Sequence, residues 1–294
     1  MEHCGVAKQR KRDQWPELCK LVQDDDGLPV NEYGSWTERK LHFWNRYIEI
    51  TTSAMVGHPS WEAGLIYVDL FAGPGVCTIK GSGRRLPGSP LIAAHAPKPF
   101  RELILCEKDE ARADACEKRI RRIAPNVSVT CIRGDCNEKI LDVARQIPRA
   151  ALTLAFIDPQ GLEIEFETVK SLAKCGRVDL LILVADAVAF VRNVDFLYFP
   201  KKNSELDKFF GADANWREKW QALGSSEGPN ARKFIADTYK QQLRRIGYIK
   251  FGEKTISGTK GPLYRLLFAS KHALGLEFWE KVTRKDAGGQ TEMF

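Results

Sequence analysis

Five short apolar runs recur through the middle of the chain, most closing on an acidic residue, and the segments between them carry apolar positions at helical spacing. The runs are GLIYVDLF (64–71), ELILCEKD (102–109), VSVTCIRGD (127–135), ALTLAFIDPQG (151–161) and VDLLILVAD (178–186). Most are apolar almost continuously rather than at alternate positions, which marks strands covered on both faces. Between them EARADACEKRIRRIA, a stretch to about residue 146, and EFETVKSLAKCG read as helices, the last stopped by its glycine. Strands alternating with helices in this way predict an α/β protein with a mostly parallel sheet.

The flanks are less regular. Residues 1–34 read as irregular or weakly helical, with DDDGLP (24–29) as a break, and the next residues, WTERKLHFWNRYIEITTSA, form an amphipathic helix with Ser35 or Thr37 near its N-cap. After a Gly/Pro-rich loop over 73–90, SPLIAAHA opens a short helix whose first turn tolerates Pro90. Regular alternation lapses after Asp186, so residues 187–230 are expected to be an insertion. A helix over ARKFIADTYKQQLRRIG then leads to YIKFGE and PLYRLLFAS, two strands close enough to form a terminal antiparallel hairpin. The expected division is an N-terminal extension and helix over 1–60, and an α/β domain over 61–294.

Composition narrows the class without deciding it. The chain has 294 residues, 44% of them hydrophobic, enough to bury a full core. No apolar run reaches about 18 residues and the first 30 residues hold no apolar signal core, so neither a membrane span nor a secretory peptide is expected, and the cytoplasm is the expected location. Eight cysteines without a C-x-x-C pair read as reduced, packed thiols, and no histidine stands at zinc-ligand spacing, so no metal is expected. The formal charge of +7 is concentrated in Lys8, Arg10, Lys11 and Arg12, and in Lys118, Arg119, Arg121 and Arg122. The second cluster suits a solvated helix face as well as a nucleic-acid contact.

In an open α/β sheet, ligands sit beyond the carboxyl ends of the strands where the strand order reverses. Here those ends carry Asp69, Glu107, Asp135, Asp158 and Asp186. After the first strand, Phe71-Ala72-Gly73-Pro74-Gly75 lets a ligand approach the backbone, because glycine lacks the Cβ that would block it. An acid at the end of the second strand can accept hydrogen bonds from both hydroxyls of a ribose. The loop is not the G-x-G-x-x-G of a dinucleotide turn, which disfavours a nicotinamide cofactor. For Asp69 and Glu107 the plain alternative is strand-end capping; for Asp135, an ordinary turn.

Together D-x-F-A-G-x-G, the acidic second strand, GD after the third and DP after the fourth resemble the class I methyltransferase fold that binds S-adenosylmethionine. GSWTERKL, YVDLFAGPG, GSP, AFIDPQG and YRLLFASKHALG, spread over residues 34–275, resemble more specifically the three-Cys-motif partner protein family. The resemblance implies a Rossmann-like seven-stranded sheet with a terminal antiparallel hairpin, an N-terminal helical extension and an insertion after the fifth strand. It also implies S-adenosylmethionine as cofactor, held by Asp69 and Phe71 to Gly75 at its methionine portion, Glu107 at its ribose, and Asp135 with Cys136 at its adenine, with Lys108 and Asp158 as further cofactor-binding residues. Asp158, Pro159 and Gln160 take the catalytic position. Amino-methyltransferases of this outline often carry D/N-P-P-Y/F there; Gln160 and Gly161 depart from it, so an aromatic stacking group must come from elsewhere or the target is not a base. Phe190 and its aromatic neighbours Phe196, Tyr198 and Phe199 could supply it or belong to the core. Trp36 and Lys40 either cover the sheet or face the cofactor mouth, where Lys40 would meet a carboxylate or phosphate; Asp186 is a further candidate on the substrate side. Lys271 and His272 read as a surface pair.

The expected activity is methyl transfer to nucleic acid or a nucleotide-like substrate. Its alternatives are a methyltransferase-like partner of a second protein, bearing three cysteines in a radical-SAM-like arrangement, and a small-metabolite tailoring methyltransferase.

Overall fold

The five apolar runs become five neighbouring parallel strands, and the terminal hairpin extends their sheet. The structure, a computed structural model, describes residues 14–186, 190–191, 193–223, 228–259 and 261–284. The basic residues 8–12 and Cys4 lie outside them. In chain order come α1 (Trp15–Leu21), β1 (Asn31–Tyr33), α2 (Trp36–Met55), β2 (Leu65–Asp69), β3 (Val76–Ile79), β4 (Arg85–Pro87), α3 (Ser89–Ala94), β5 (Glu102–Glu107) and α4 (Glu110–Ile123). They are followed by β6 (Val129–Arg133), α5 (Cys136–Arg145), β7 (Leu152–Ile157), α6 (Phe166–Ala173), β8 (Arg177–Val184), α7 (Glu205–Phe210), α8 (Trp216–Ala222), α9 (Gly228–Arg245), β9 (Lys250–Gly258), β10 (Gly261–Ser270) and α10 (Ala273–Thr283).

The main sheet has the order β6-β5-β2-β7-β8-β10-β9. The pairings β5–β6, β2–β5, β2–β7 and β7–β8 are parallel, while β10 runs antiparallel to both β8 and β9. This is the Rossmann-like class I methyltransferase sheet, and its order reverses between β2 and β7. Successive residues of each central strand enter opposite cores, because side chains alternate across a strand. Ile66, Val68, Ile104, Ala155 and Ile182 pack with α5, α6, α7 and α9. Leu65, Tyr67, Leu105, Phe156 and Leu181 pack with α2, α3 and α10. Every residue of β2 and β7 is buried, and burying each large aliphatic side chain stabilises by about 1.5–3 kcal/mol.

Two regions differ from the sequence expectation. Within the stretch expected to be irregular, residues 31–33 form β1, which pairs in parallel with β3. The Gly/Pro-rich loop supplies β3 and β4, which complete a small three-stranded sheet. Strands of three or four residues carry too little periodicity to be read from a sequence. The stretch from 187 to 230 contains a π-helical turn at Val194–Tyr198 and the helices α7 and α8, with α9 already begun at Gly228. Tyr198, Phe209, Phe210 and Trp216 join the core there.

Of the basic cluster on α4, Arg119 is fully buried. Its guanidinium donates to Asp26 at 2.6 and 2.8 Å and to the carbonyls of Pro29 and Pro74 at 2.7 Å. Asp26 is held well below the usual carboxylate range, chiefly by the hydrogen bond from Arg119. Arg119 is thus a clamp on the loop after β2 and is withdrawn from any polyanion-binding face.

Candidate functional site

The loop after β2 is pinned at nearly every residue. The Leu70 N–H donates to the Phe156 carbonyl at 3.2 Å, the Ala72 N–H to the Cys106 carbonyl at 3.0 Å, and the Gly88 N–H to the Gly75 carbonyl at 2.7 Å. Gly73 and Gly75 have φ of 62° and 79°, a region other L-residues enter only at a cost. A Cβ on Gly73 would lie 3.4 Å from Asn31 Nδ2, and one on Gly75 would lie 3.4 Å from Cys116 Sγ.

Asp69 closes β2 and is fully buried. It accepts from the Phe71 N–H at 3.1 Å and the Tyr67 hydroxyl at 3.0 Å, and Tyr67 in turn accepts from Trp44 Nε1–H at 3.2 Å. Burial pushes its pKa up to about 7, against the lowering effect of hydrogen bonds from Ser89, Phe71 and Tyr67. Asp69 does not line the cleft: it shapes the loop from behind.

The cleft itself, of about 230 Å³, opens at the carboxyl ends of β2, β5, β6 and β7. Glu107 sits in its wall, where one carboxylate oxygen accepts from the Gly73 N–H at 2.7 Å and the other from the Asp109 N–H at 2.9 Å. An ionised carboxylate offers about four lone-pair directions, so each oxygen keeps one for a ligand hydroxyl. Asp135 caps α5, accepting from the Asn137 N–H at 2.9 Å, and pairs with the exposed Lys108 at 3.2 Å. Cys136 is buried in the same wall, and burial drives its thiol pKa far upward.

Asp158 follows β7 and is paired with Lys40 of α2. The Lys40 side chain is 4% exposed and that of Asp158 is 18% exposed. The ammonium lies 5.7 Å from the Tyr33 ring centre and 5.5 Å from that of Trp36. Trp36 packs against Tyr264 of β10 at 4.5 Å between centroids. Burial, reinforced by the Asp158 charge, raises the Tyr33 pKa to about 12. Gln160 is exposed and hydrogen-bonds Tyr33, while Pro159 is buried. Lys40, Asp158, Tyr33 and residues Phe71 to Cys77 border one small hollow, about 40 Å³, beside the cleft.

The structure brings together Phe71 to Gly75, Glu107, Lys108, Asp135, Cys136, Asp158, Gln160 and Lys40, with Trp36 stacked at their edge. It separates two other candidates from them. Phe190 has no exposed surface and packs among Phe210, Trp220 and Phe234, so its ring is core and offers no face to a substrate. Asp186 is buried, accepts from Arg265 at 3.0 Å and borders a different, charged pocket between α9 and β9. Asn31, Tyr33 and Tyr264 were not singled out by sequence reasoning. Asn31 and Tyr33 stand in a three-residue strand and Tyr264 in the last strand of the sheet, and nothing local announces which strand end they face.

No family model matches the chain, and no curated protein matches it. Among solved structures, an O-methyltransferase from Bacillus cereus in complex with SAH is 14% identical, covering 90% of this chain and 94% of that one at a TM-score of 0.46. Trm1 from Pyrococcus horikoshii with S-adenosyl-L-methionine is 12% identical over 90% of this chain and 62% of that one, at 0.44. TYW2 from M. jannaschii in complex with AdoMet is 11% identical over 81% and 76%, at 0.43. The strand order of the main sheet defines the fold.

Proposed function

We propose that the chain is an S-adenosylmethionine-dependent methyltransferase whose acceptor is a flat group on nucleic acid or on a nucleotide-like molecule. The observation that carries this reading is the convergence of Glu107, Asp135 and Asp158 on one cleft at the reversal of strand order, beside a loop whose glycines leave its backbone open. Glu107 has one free lone pair on each oxygen for a pair of ribose hydroxyls. Asp135 and Cys136 border the place for an adenine ring, and Phe71 to Gly75 that for the amino-acid portion. The cofactor would supply a methyl group on a sulfonium, which needs chiefly alignment with its acceptor. Asp158 then orients the acceptor, Lys40 holds Asp158 in position, and Tyr33, Trp36 and Tyr264 supply the aromatic surface that Gln160 and Gly161 do not. The cytoplasm fits this reading, since the seven described cysteines are free thiols.

Isothermal titration with S-adenosylmethionine and its demethylated product tests the first half. Absence of heat with both ligands overturns it. Labelled methyl transfer to RNA, DNA and nucleotides tests the second half: Asp158→Ala should abolish transfer while binding persists.

A second reading is favoured by the Lys40–Asp158 pair itself. The ammonium occupies a carboxylate oxygen that an amine acceptor would otherwise use, as suits a methyltransferase-like partner of a three-Cys-motif protein that holds the cofactor without consuming it. Cofactor binding with no transfer to any acceptor, and capture of such a radical-SAM-like protein, would select it. Transfer to small metabolites without salt-sensitive nucleic-acid binding would instead select a tailoring enzyme.

A further inference from the structure

At the opposite, amino-terminal end of the parallel strands lies a cavity of about 320 Å³, outside everything assigned above. Its floor is apolar, formed by Met55 of α2, Leu152 and Val178 at the starts of β7 and β8, and Phe278 of α10. Its mouth is cationic. Arg177 opens β8 and is exposed, with its guanidinium 4.8 Å from the Trp61 ring centre. Among the described residues no carboxylate lies within ion-pairing distance of Arg177. Beside it, Lys271 donates to the carbonyls of Ala173 at 2.7 Å and Gly176 at 3.2 Å, and its pKa is lowered, first by burial. His58 and His272 complete the rim. The first turn of α10, an eleven-residue helix that supplies Leu274 and Gly275 to the wall, holds no acidic residue.

The single acid of the lining, Asp179, is already committed. It accepts from the Tyr47 hydroxyl at 3.5 Å and from Ser270. Its nearest charged neighbour at the mouth is Lys271, so the Arg177 guanidinium is left without an ion pair among the described residues.

We propose that this cavity is a second ligand site, for a small organic anion with an aromatic or branched apolar body and a single carboxylate. The body replaces water over Met55, Leu152, Val178 and Phe278. The carboxylate meets Arg177, whose planar fork suits bidentate pairing and which the Trp61 face already holds in place. A volume of this size belongs to the range of small-ligand pockets. Neutral ligands of the same shape lose the guanidinium contact; long or multiply charged ones exceed the space and the charge available.

The proposal is independent of the methyltransferase reading and is tested apart from it. Isothermal titration of the full chain compares naphthalene-2-acetate with the uncharged naphthalene-2-ethanol. The acid should bind at least tenfold more tightly than the alcohol. Arg177→Gln should remove that preference, and Leu274→Trp, which places an indole in the space, should abolish binding of both. Glu107→Ala, at the other end of the sheet, should leave both affinities unchanged. Equal affinity for acid and alcohol on the unaltered chain, a result that needs no variant, overturns the proposal. So does an absence of binding, or an Arg177→Gln chain with an unchanged thermal melt that retains the preference.

Discussion

The two ends of the parallel sheet are built from the same strands and present opposite chemistry. At the carboxyl ends, Glu107, Asp135 and Asp158 face a polar cleft, and Glu107 and Asp135 also accept from backbone N–H groups of the adjoining turns. At the amino ends, the starts of β7 and β8 give an apolar floor with Arg177 and Lys271 at its mouth. Each end also has one acid engaged by its own neighbours: Asp69, outside the cleft lining, at the first, and Asp179, in the cavity lining but bonded to Tyr47 and Ser270, at the second. The comparison shows that strand direction alone does not make a binding site. What distinguishes the ends is whether the acids keep acceptor capacity toward the hollow or are already engaged by protein donors.

The largest test of this difference is the pH dependence of stability. The folded pKa of Asp69 is raised from 3.8 to about 7, and that of Asp179 from 3.8 to about 6, each by burial. The folded protein therefore binds each proton more tightly than the unfolded chain does. The resulting stability is full below about pH 4, and is lost as pH rises through 7 for Asp69 and through 6 for Asp179. For Asp69 the span is on the order of 4 kcal/mol. Chemical denaturation from pH 4 to 8 should show Asp69→Asn removing a larger and later-ending decline than Asp179→Asn. Equal effects would erase the distinction between the two engaged acids.

Next in size is Lys40→Met, which leaves Asp158 mostly buried without its partner and should destabilise by about 3 kcal/mol in a denaturant melt. Lys40→Met with Asp158→Asn should recover part of that loss. Glu107→Ala removes the acceptor for two ligand hydroxyls and should weaken S-adenosylmethionine binding by about thirtyfold, within the roughly 1.5–3 kcal/mol of hydrogen bonding to a charged group. The amino-end cavity should not notice. Smallest is Tyr264→Ala, expected to raise KM for a flat acceptor about fivefold with little change in cofactor affinity, the effect of a lost stacking wall worth about 1 kcal/mol.

The frame of the molecule was readable because its signals are local. Near-continuous apolar runs and helical spacing between them located β2, β5, β6, β7 and β8, and the acid after each run marked one edge of the sheet. Glu107, Asp135 and Asp158 were found in this way, and the structure places them in one wall. What escaped depended on pairings distant in sequence. Lys40 meets Asp158 across 118 residues, and Trp36 meets Tyr264 of the last strand; in the sequence neither pair differs from surface charge or core aromatics. Phe190 shows the same ambiguity resolved the other way, since an aromatic stretch beside a strand end packs inward once α8 and α9 close over it. Asp69 was legible as a strand-end acid but not as a hidden one, because its partner Tyr67 stands on the same strand face and draws the carboxylate inward.

The contact between Trp36 and Tyr264 can form only after the last strand of the sheet has been synthesised. Local contacts form early and distant ones must first overcome the entropy of closing long loops. A ribosome-bound chain that has released β2 through β8 carries Glu107, Asp135 and Asp158 and the strands that end on them. It lacks Tyr264 until β10 inserts between β8 and β9. On the proposed reading, the acceptor wall is therefore finished only when the closing hairpin enters the sheet.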